Sequence, residues 1–196
     1  MSTPGRPRDV TIDERALAAT RDLLVETGFS ATTIQAVAER SGLHASAIYR
    51  RWPSRTELIE EAVFPGFDGL SVRPTGDLPG DLRRFVRAYV RMLGSPVARA
   101  AIPGLLASYQ ATGRSGSPEE WLHLSARPQF RDIVLASRSD GVDPPIDIDD
   151  VFDMLLGTIL ARILVPTIDR RNAPLERTVE LTLRLLQPTS DHVNAR

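Results

Sequence analysis

Apolar residues recur at spacings of three and four along most of this chain, and such spacing predicts amphipathic helices. The first predicted helix begins at Thr11, which fits a capping box with Glu14, and it ends at Gly28. Two short stretches with one apolar face follow, at residues 32–41 and 44–52. They predict two helices joined by a tight turn at Gly42, because glycine adopts the left-handed backbone that a sharp turn needs.

Capping signals indicate where two of these helices begin. Thr32 with Gln35 predicts the start of the second helix, and Ser54 with Glu57 predicts the start of a fourth helix that runs through residue 63. In the third helix we expect Ile48 to face inward and the indole of Trp52 to close the end. The outward positions are then His44, Ala45, Ser46, Tyr49, Arg50 and Arg51.

The pattern resumes after a stretch rich in glycine and proline at residues 65–80, which predicts a linker. Further helices are predicted at residues 81–93, from Ser95-Pro96 towards 110, from 117 with a break at Pro128, at 147–165 and at 174–186. Pro103-Gly104 should kink or split the second of these helices. The chain shows no strand pattern, so we predict an all-α fold of about nine helices.

These elements divide the chain into segments. Residues 1–9 form a flexible basic arm, and residues 10–64 form a three-helix, helix-turn-helix head together with its linking helix. The linker is 65–80, a larger helical body spans 81–188, and 189–196 is a polar tail.

The distribution of charge indicates that any attraction to nucleic acid must come from a local surface. The net charge is −1, so no global field attracts nucleic acid, but residues 40–56 contain four arginines, one histidine and no acid. The chain has no cysteine, which excludes disulfides and thiolate chemistry. Its start lacks a signal-peptide pattern and its longest apolar run is too short to span a membrane, so we expect a cytoplasmic protein.

The outward residue types of the third helix suit a nucleic-acid surface. Small residues at 45 and 46 allow close approach to base edges, Arg50 could bind a guanine with two hydrogen bonds, and Tyr49 and Arg51 could contact phosphates. Arginines of the N-terminal arm could enter a narrow minor groove. The predicted DNA contacts are Arg6, Arg8, Thr32, Thr33, His44, Ala45, Ser46, Tyr49, Arg50, Arg51 and Arg55. The alternative for the helix pair is a hairpin whose arginines face water, and the alternative for the N-terminal arm is a disordered tail.

The region from Ala16 to Leu58 resembles the DNA-binding head of the TetR family of bacterial transcriptional regulators. The resemblance is carried by Ala19, Leu23-Leu24, Gly28-Phe29, Thr32, Val37-Ala38, Gly42-Leu43, Ile48-Tyr49, Trp52, Ser54-Arg55 and Leu58. The family usually has lysine at the position of Arg55, often serine at that of His44, and often phenylalanine or valine at that of Trp52.

The resemblance implies a homodimer formed by the last two helices as a four-helix bundle. Independently, residues 149–164 are apolar on two sides, and a helix of that kind must bury both. Two recognition helices related by a two-fold axis could enter major grooves about 34–36 Å apart on a palindromic operator. The predicted interface residues are Phe152, Leu156, Gly157, Leu160, Ala161, Leu164, Val179, Leu183 and Leu186. The alternative is a monomer that packs these helices internally.

The resemblance also implies a small-molecule pocket in the body. Candidates to line it are Phe85, Tyr89, Met92, Tyr109, Trp121, His123, Phe130 and Met154, which suit an apolar or aromatic effector. Alternatively, most of these residues are ordinary core.

Together these patterns and the resemblance predict a sequence-specific DNA-binding transcriptional regulator. The resemblance implies that it is a homodimeric repressor, which an apolar or aromatic ligand releases from its operator. No phosphate-binding loop, zinc-protease or nucleophile-elbow motif is present, so we predict no enzymatic activity, no metal and no cofactor. The alternative is a helical adaptor or ligand-binding protein that does not bind DNA.

Overall fold

The computed structural model describes residues 10–64, 72–112, 126–138, 146–165 and 174–186. These residues form nine helices and no strand, as the all-α prediction required. The helices are α1 Val10–Ala31, α2 Ile34–Ser41, α3 Ala45–Tyr49, α4 Arg55–Val63, α5 Leu78–Leu93, α6 Pro96–Thr112, α7 Arg127–Ala136, α8 Ile148–Leu164 and α9 Pro174–Leu186. No helix in these described ranges has the length and apolarity needed to cross a membrane.

The helices fall into two compact units. Unit 1 contains α1–α4 and α6, and unit 2 contains α5, α7, α8 and α9. This division differs from the predicted linear one, which assigned everything after residue 80 to one body. The reason is that α6 packs against α1 and α4, so that a helix distant in sequence belongs to the same unit as the head.

Unit 1 is organised around an apolar cluster to which all of the first four helices contribute. Its buried members are Ala16, Ala19, Leu23, Ile34, Val37, Ala38, Ile48, Trp52 and Leu58. The indole Nε1 of Trp52 donates a hydrogen bond to Glu61 Oε2 at 2.7 Å, so the polar end of this buried ring is satisfied. The core therefore holds α3 mainly through Ile48, which is fully buried, and through the ring of Trp52, which follows the helix.

The helix starts partly follow the capping predictions. Ser54 Oγ accepts from the backbone N–H of Glu57 at 3.1 Å, which confirms the cap of α4. The predicted cap of α2 is wrong by one residue: Thr33 is the N-cap, and its Oγ1 accepts from the N–H of Ala36 at 3.1 Å. Thr32 instead donates from Oγ1 to the carbonyl of Gly28 at 2.8 Å. Helix α3 is shorter than the predicted range of residues 44–52.

The breaks in unit 1 do not all follow the predictions. Gly28, with φ 80°, interrupts the helical backbone where the first helix was predicted to end, although α1 resumes to Ala31. In contrast, α6 continues as one helix through Pro103, where a kink or split was predicted.

Unit 2 is built around aromatic side chains from three helices. Phe85 of α5, Phe130 of α7 and Phe152 of α8 are fully buried, and their ring centroids lie 5.6 Å apart in successive pairs. At the start of α5, the carboxylate of buried Asp81 accepts from the N–H and Oγ1 of Thr75, at 2.7 and 2.8 Å. These bonds offset the cost of burying a charge.

Candidate nucleic-acid interface

The turn between α2 and α3 is a closed, hydrogen-bonded structure. Gly42 adopts φ 65° and ψ 30°, the left-handed conformation predicted from the sequence. The N–H of Leu43 donates to the carbonyl of Ala38 at 3.1 Å, and the Leu43 side chain packs against the core of unit 1. The angle between α2 and α3 is therefore set by backbone bonds on one side and by apolar packing on the other.

The two sides of α3 differ in character. Ile48 is fully buried, whereas Tyr49 is 54% exposed and His44, Ser46 and Arg50 are exposed as well. Ala45 is half-buried and packs against the core. The helix thus presents an outward row of polar side chains, held in place by an apolar anchor.

Acidic residues from α1 change the charge pattern that the sequence indicated. Arg40 Nη1 and Nη2 donate to the two carboxylate oxygens of Glu26, at 3.1 and 2.6 Å. The hydrogen bond from Arg40 holds the pKa of Glu26 below its usual value. Because these residues lie on different helices, 14 positions apart, spacing within one helix could not reveal the pair.

A second acid engages Arg51. Its Nε forms an ion pair with Asp13 Oδ1, and the two side chains are only 10% and 22% exposed. The predicted phosphate contact by Arg51 does not fit this geometry, because the guanidinium group is directed at α1. Asp13 was missed as a site residue since nothing local in the sequence links it to α3.

Arg55 is also engaged inside unit 1. Its Nη2 donates to the carbonyl oxygen of Phe29, and its Cζ lies 4.3 Å from the centroid of the Phe29 ring. Partial burial lowers the pKa of Arg55 from its usual value. The guanidinium group holds α4 against the end of α1, which is a different role from the predicted phosphate contact.

Arg50 stands apart from the other three arginines of this segment. It is exposed, and within the ranges that the structure describes no hydrogen bond or ion pair of its side chain is recorded. Thr33 is exposed at the start of α2, whereas Thr32 is 1% exposed and does not belong to the surface. Arg6 and Arg8 lie outside the described residues. The candidate interface therefore comprises Thr33, His44, Ser46, Tyr49 and Arg50.

Three of the predicted pocket residues lie in the packed core of unit 2. Phe85, Tyr89 and Phe130 belong to the aromatic core of unit 2. The ring centroid of Tyr89 also lies 6.0 Å from the ring centroid of Phe152. Burial raises the pKa of the Tyr89 hydroxyl, and nearby Arg127 partly opposes the shift. These rings pack against one another, so they fill the core of unit 2.

The other pocket candidates are scattered. Tyr109 belongs to unit 1, where its hydroxyl donates to Glu60 at 2.7 Å, and Met92 is half-buried in unit 2. Met154 is 58% exposed, because it lies on the side of α8 opposite the buried Phe152. Trp121 and His123 lie outside the described residues.

Unit 2 has an open groove of about 440 Å³ between α5 and α9. It is lined by Arg83, Glu176, Arg177, Val179, Glu180 and Leu183. Its mainly charged rim does not match the aromatic lining predicted for an effector site.

The predicted dimer residues divide into inner and outer positions. Phe152, Val179 and Leu186 are buried in unit 2, each with at most 2% of its surface exposed. Leu156, Leu160, Ala161, Leu164 and Leu183 are half-buried, and Gly157 is exposed with no atom near the position of a Cβ. Two exposed apolar residues of α8 and α9, Met154 and, at 45% exposure, Leu181, are not among the predicted interface residues.

Comparison with known proteins places this architecture in a family. Residues 16–62 match the family model described as bacterial regulatory proteins, tetR family, and residues 72–182 match a tetracyclin repressor-like C-terminal domain. The chain belongs to the TetR family: it is a helix-turn-helix, DNA-binding transcriptional regulator, of a family of regulators and not of enzymes.

Individual relatives agree with this assignment. The chain is 27% identical over 167 residues to the HTH-type transcriptional regulator Rv1556 of Mycobacterium tuberculosis, covering 84% of this chain and 80% of that protein. It shares its fold with the TetR-family regulator HI0893 of Haemophilus influenzae, with a TM-score of 0.63, 16% identity, and coverage of 93% of this chain and 100% of that one. BioQ, solved with its double-stranded DNA operator, gives a TM-score of 0.61 at 15% identity, covering 89% of this chain and 96% of BioQ.

Proposed function

We propose that this regulator reads a palindromic DNA operator through α3, with Arg50 as the principal base-reading residue. The observation that carries this proposal is a contrast among the arginines that follow α3. Arg51 and Arg55 are held inside unit 1, while Arg50 is exposed. A guanidinium group can donate two hydrogen bonds to O6 and N7 of guanine, which is the commonest specific contact in the major groove.

The neighbouring exposed groups suit contacts that position the helix on the duplex. The hydroxyl groups of Tyr49 and Thr33 can donate to phosphate oxygens, and Ser46 is small enough to let α3 approach the base edges. Arg6 and Arg8 would add minor-groove contacts that strengthen binding where the groove is narrow.

We further propose that the chain acts as a homodimer paired through α8 and α9. The support is the outward side of α8, whose opposite side already fills the core: Met154 and Gly157 are exposed and Leu160 and Ala161 are half-buried, while Leu155 and Ile159 are buried. A second copy would cover this face and place two copies of α3 on half-sites about 34–36 Å apart.

Regulation by a small apolar or aromatic effector completes the proposal. The C-terminal family match supports a separate body, and binding there would favour a conformer whose heads do not fit the operator. Linkage then requires that DNA weaken effector binding by the same factor, typically about 5–150-fold. Under this arrangement the protein represses transcription until the effector is present.

The decisive experiment is selection of bound duplexes from a random pool with the full chain, followed by anisotropy titrations. We expect a palindrome to be recovered, and its affinity should fall steeply with salt as phosphate contacts release counterions. Sedimentation at micromolar concentration should show a dimer. Failure to bind any duplex in dilute buffer would instead support a helical adaptor.

A further inference from the structure

Helix α6 contains the two residues least suited to a helix interior, next to one another. Pro103 lacks the backbone N–H that donates a hydrogen bond in a helix interior, and glycine, at position 104, has the most conformational freedom to lose in a helix. The helix nevertheless runs unbroken from Pro96 to Thr112. Pro103 is exposed, so its ring faces away from the core. A local departure of this kind from helix propensity commonly marks a position with a special packing requirement.

Gly104 has such a requirement, and it is steric. A Cβ atom at this position would lie 2.2 Å from both Cγ and Cδ1 of the Phe29 ring. This is far inside the contact distance of two carbon atoms, so the ring rests directly on the backbone of α6. Any residue larger than glycine must displace Phe29 or move the helix.

Phe29 in turn connects three other elements of unit 1. Its carbonyl accepts from Arg55, the first residue of α4, and from the N–H of Thr32 at 3.2 Å. Its ring lies under the Arg55 guanidinium group. Thr32 also donates to the carbonyl of Gly28 and directly precedes Thr33, the cap of α2. The segment from Gly28 to Thr32 thus joins α6 to the starts of both α4 and α2.

We propose that Gly104 is a positioning residue for DNA reading, acting through Phe29 and Arg55. Displacing the Phe29 ring would move the carbonyl that holds Arg55 and Thr32, and α2 would shift with its cap. Because the turn at Gly42 locks α3 to α2, the reading helix would move as well. This inference rests on the proposed function of α3.

The first test examines the contact without using DNA. Gly104→Ala should lower the melting temperature by about 3–6 °C, although alanine in place of glycine normally stabilises a helix. Phe29→Ala removes the Cγ and Cδ atoms that a Cβ at position 104 would meet, so the double variant should melt higher than the sum of the two single shifts predicts. Additive shifts would overturn the proposal, whatever the protein binds.

The second test measures positioning with the selected operator and a scrambled duplex of the same composition. Gly104→Ala should weaken binding to the operator by about tenfold or more and binding to the scrambled duplex by less than about twofold. Stoichiometric titration checks that the variant and wild type have the same active fraction. The double variant should recover operator affinity to within about threefold of Phe29→Ala alone. Ala107→Gln, at an exposed position of the same helix, is the control and should bind as wild type does.

Two results would contradict this role. One is operator affinity within about twofold of wild type for Gly104→Ala, and the other is an equal loss on both duplexes, which is the signature of general destabilisation. If wild-type protein bound no duplex, the proposed function would fail, while the melting experiment would still decide whether Gly104 and Phe29 are coupled.

Discussion

Helices α3 and α8 are both anchored by buried apolar residues, yet they offer opposite chemistry to their surroundings. Ile48 anchors the five residues of α3, and the exposed side carries Ser46, Tyr49 and Arg50. The seventeen residues of α8 bury one apolar side, and the other side exposes Met154 and Gly157 beside half-buried Leu160 and Ala161. A polar outward row suits hydrated phosphates and base edges, whereas an exposed methionine beside small and half-buried apolar residues suits another protein chain.

The comparison also shows how each surface is held in place. The pose of α3 depends on turn geometry and on a few bonds, including the Asp13–Arg51 pair and the Leu43–Ala38 bond. The pose of α8 depends on packing of Phe152 within the aromatic core. We therefore expect point changes around α3 to alter recognition, and changes on the open side of α8 to alter assembly.

The largest effect should come from the inner side of α3. Ile48→Ala leaves a cavity in the core of unit 1 and should reduce the free energy of unfolding by about 2–5 kcal/mol. Urea denaturation followed by far-ultraviolet circular dichroism measures this loss. A change below about 1 kcal/mol would show that the core does not hold the helix through this residue.

A smaller but still large effect is expected on the open side of α8. Gly157→Arg places a charge on the proposed dimer surface, where nothing lies near the position of a Cβ, so the monomer should fold normally. Sedimentation at micromolar concentration should show monomers, and operator affinity should fall by about 100-fold because one half-site contact is lost. Ala136→Arg, at an exposed position of α7, is the matched control. A persistent dimer would exclude this face as the interface.

The outer side of α3 should affect recognition without affecting stability. Arg50→Ala should cost about 1–3 kcal/mol of operator binding and relax the preference at one base position, while the melting temperature stays unchanged. Tyr49→Phe should instead weaken binding to all sequences by a similar, smaller factor. Titrations on operators with single base changes separate the two patterns, and a uniform loss for Arg50→Ala would assign it to phosphate.

The smallest expected effect concerns the ion pair that orients Arg51. Asp13→Asn keeps the shape of the side chain and removes its charge, and it should reduce stability by about 1 kcal/mol. Arg51→Ala should reduce operator affinity no more than Asp13→Asn does. If Arg51→Ala alone caused a strong, salt-dependent loss, Arg51 would be a phosphate contact after all.

The sequence was informative where local chemistry decides the structure. The left-handed turn at Gly42, the cap of Ser54 on α4 and the burial of Ile48 and Trp52 each depend on residues a few positions apart. These features define the helix-turn-helix and its exposed side, and the family assignment follows from the same residues together with the C-terminal match.

Predictions that depended on distant residues were less successful. No local pattern indicates that Glu26 and Asp13 pair with Arg40 and Arg51, or that Phe29 rests on Gly104. Apolarity on both sides of α8 also could not tell the buried side from the open one. The prediction therefore places Phe152 in the dimer interface, although it is buried in the core of unit 2, and places exposed Met154 in a pocket.

The most direct test compares wild type and Arg50→Ala on the selected palindrome and on a scrambled duplex, by anisotropy at one fixed salt concentration. We predict that wild type prefers the palindrome by about 1,000-fold or more and that Arg50→Ala loses affinity for the palindrome alone. Equal affinity of wild type for the two duplexes, or an equal loss on both for Arg50→Ala, would contradict sequence reading by α3.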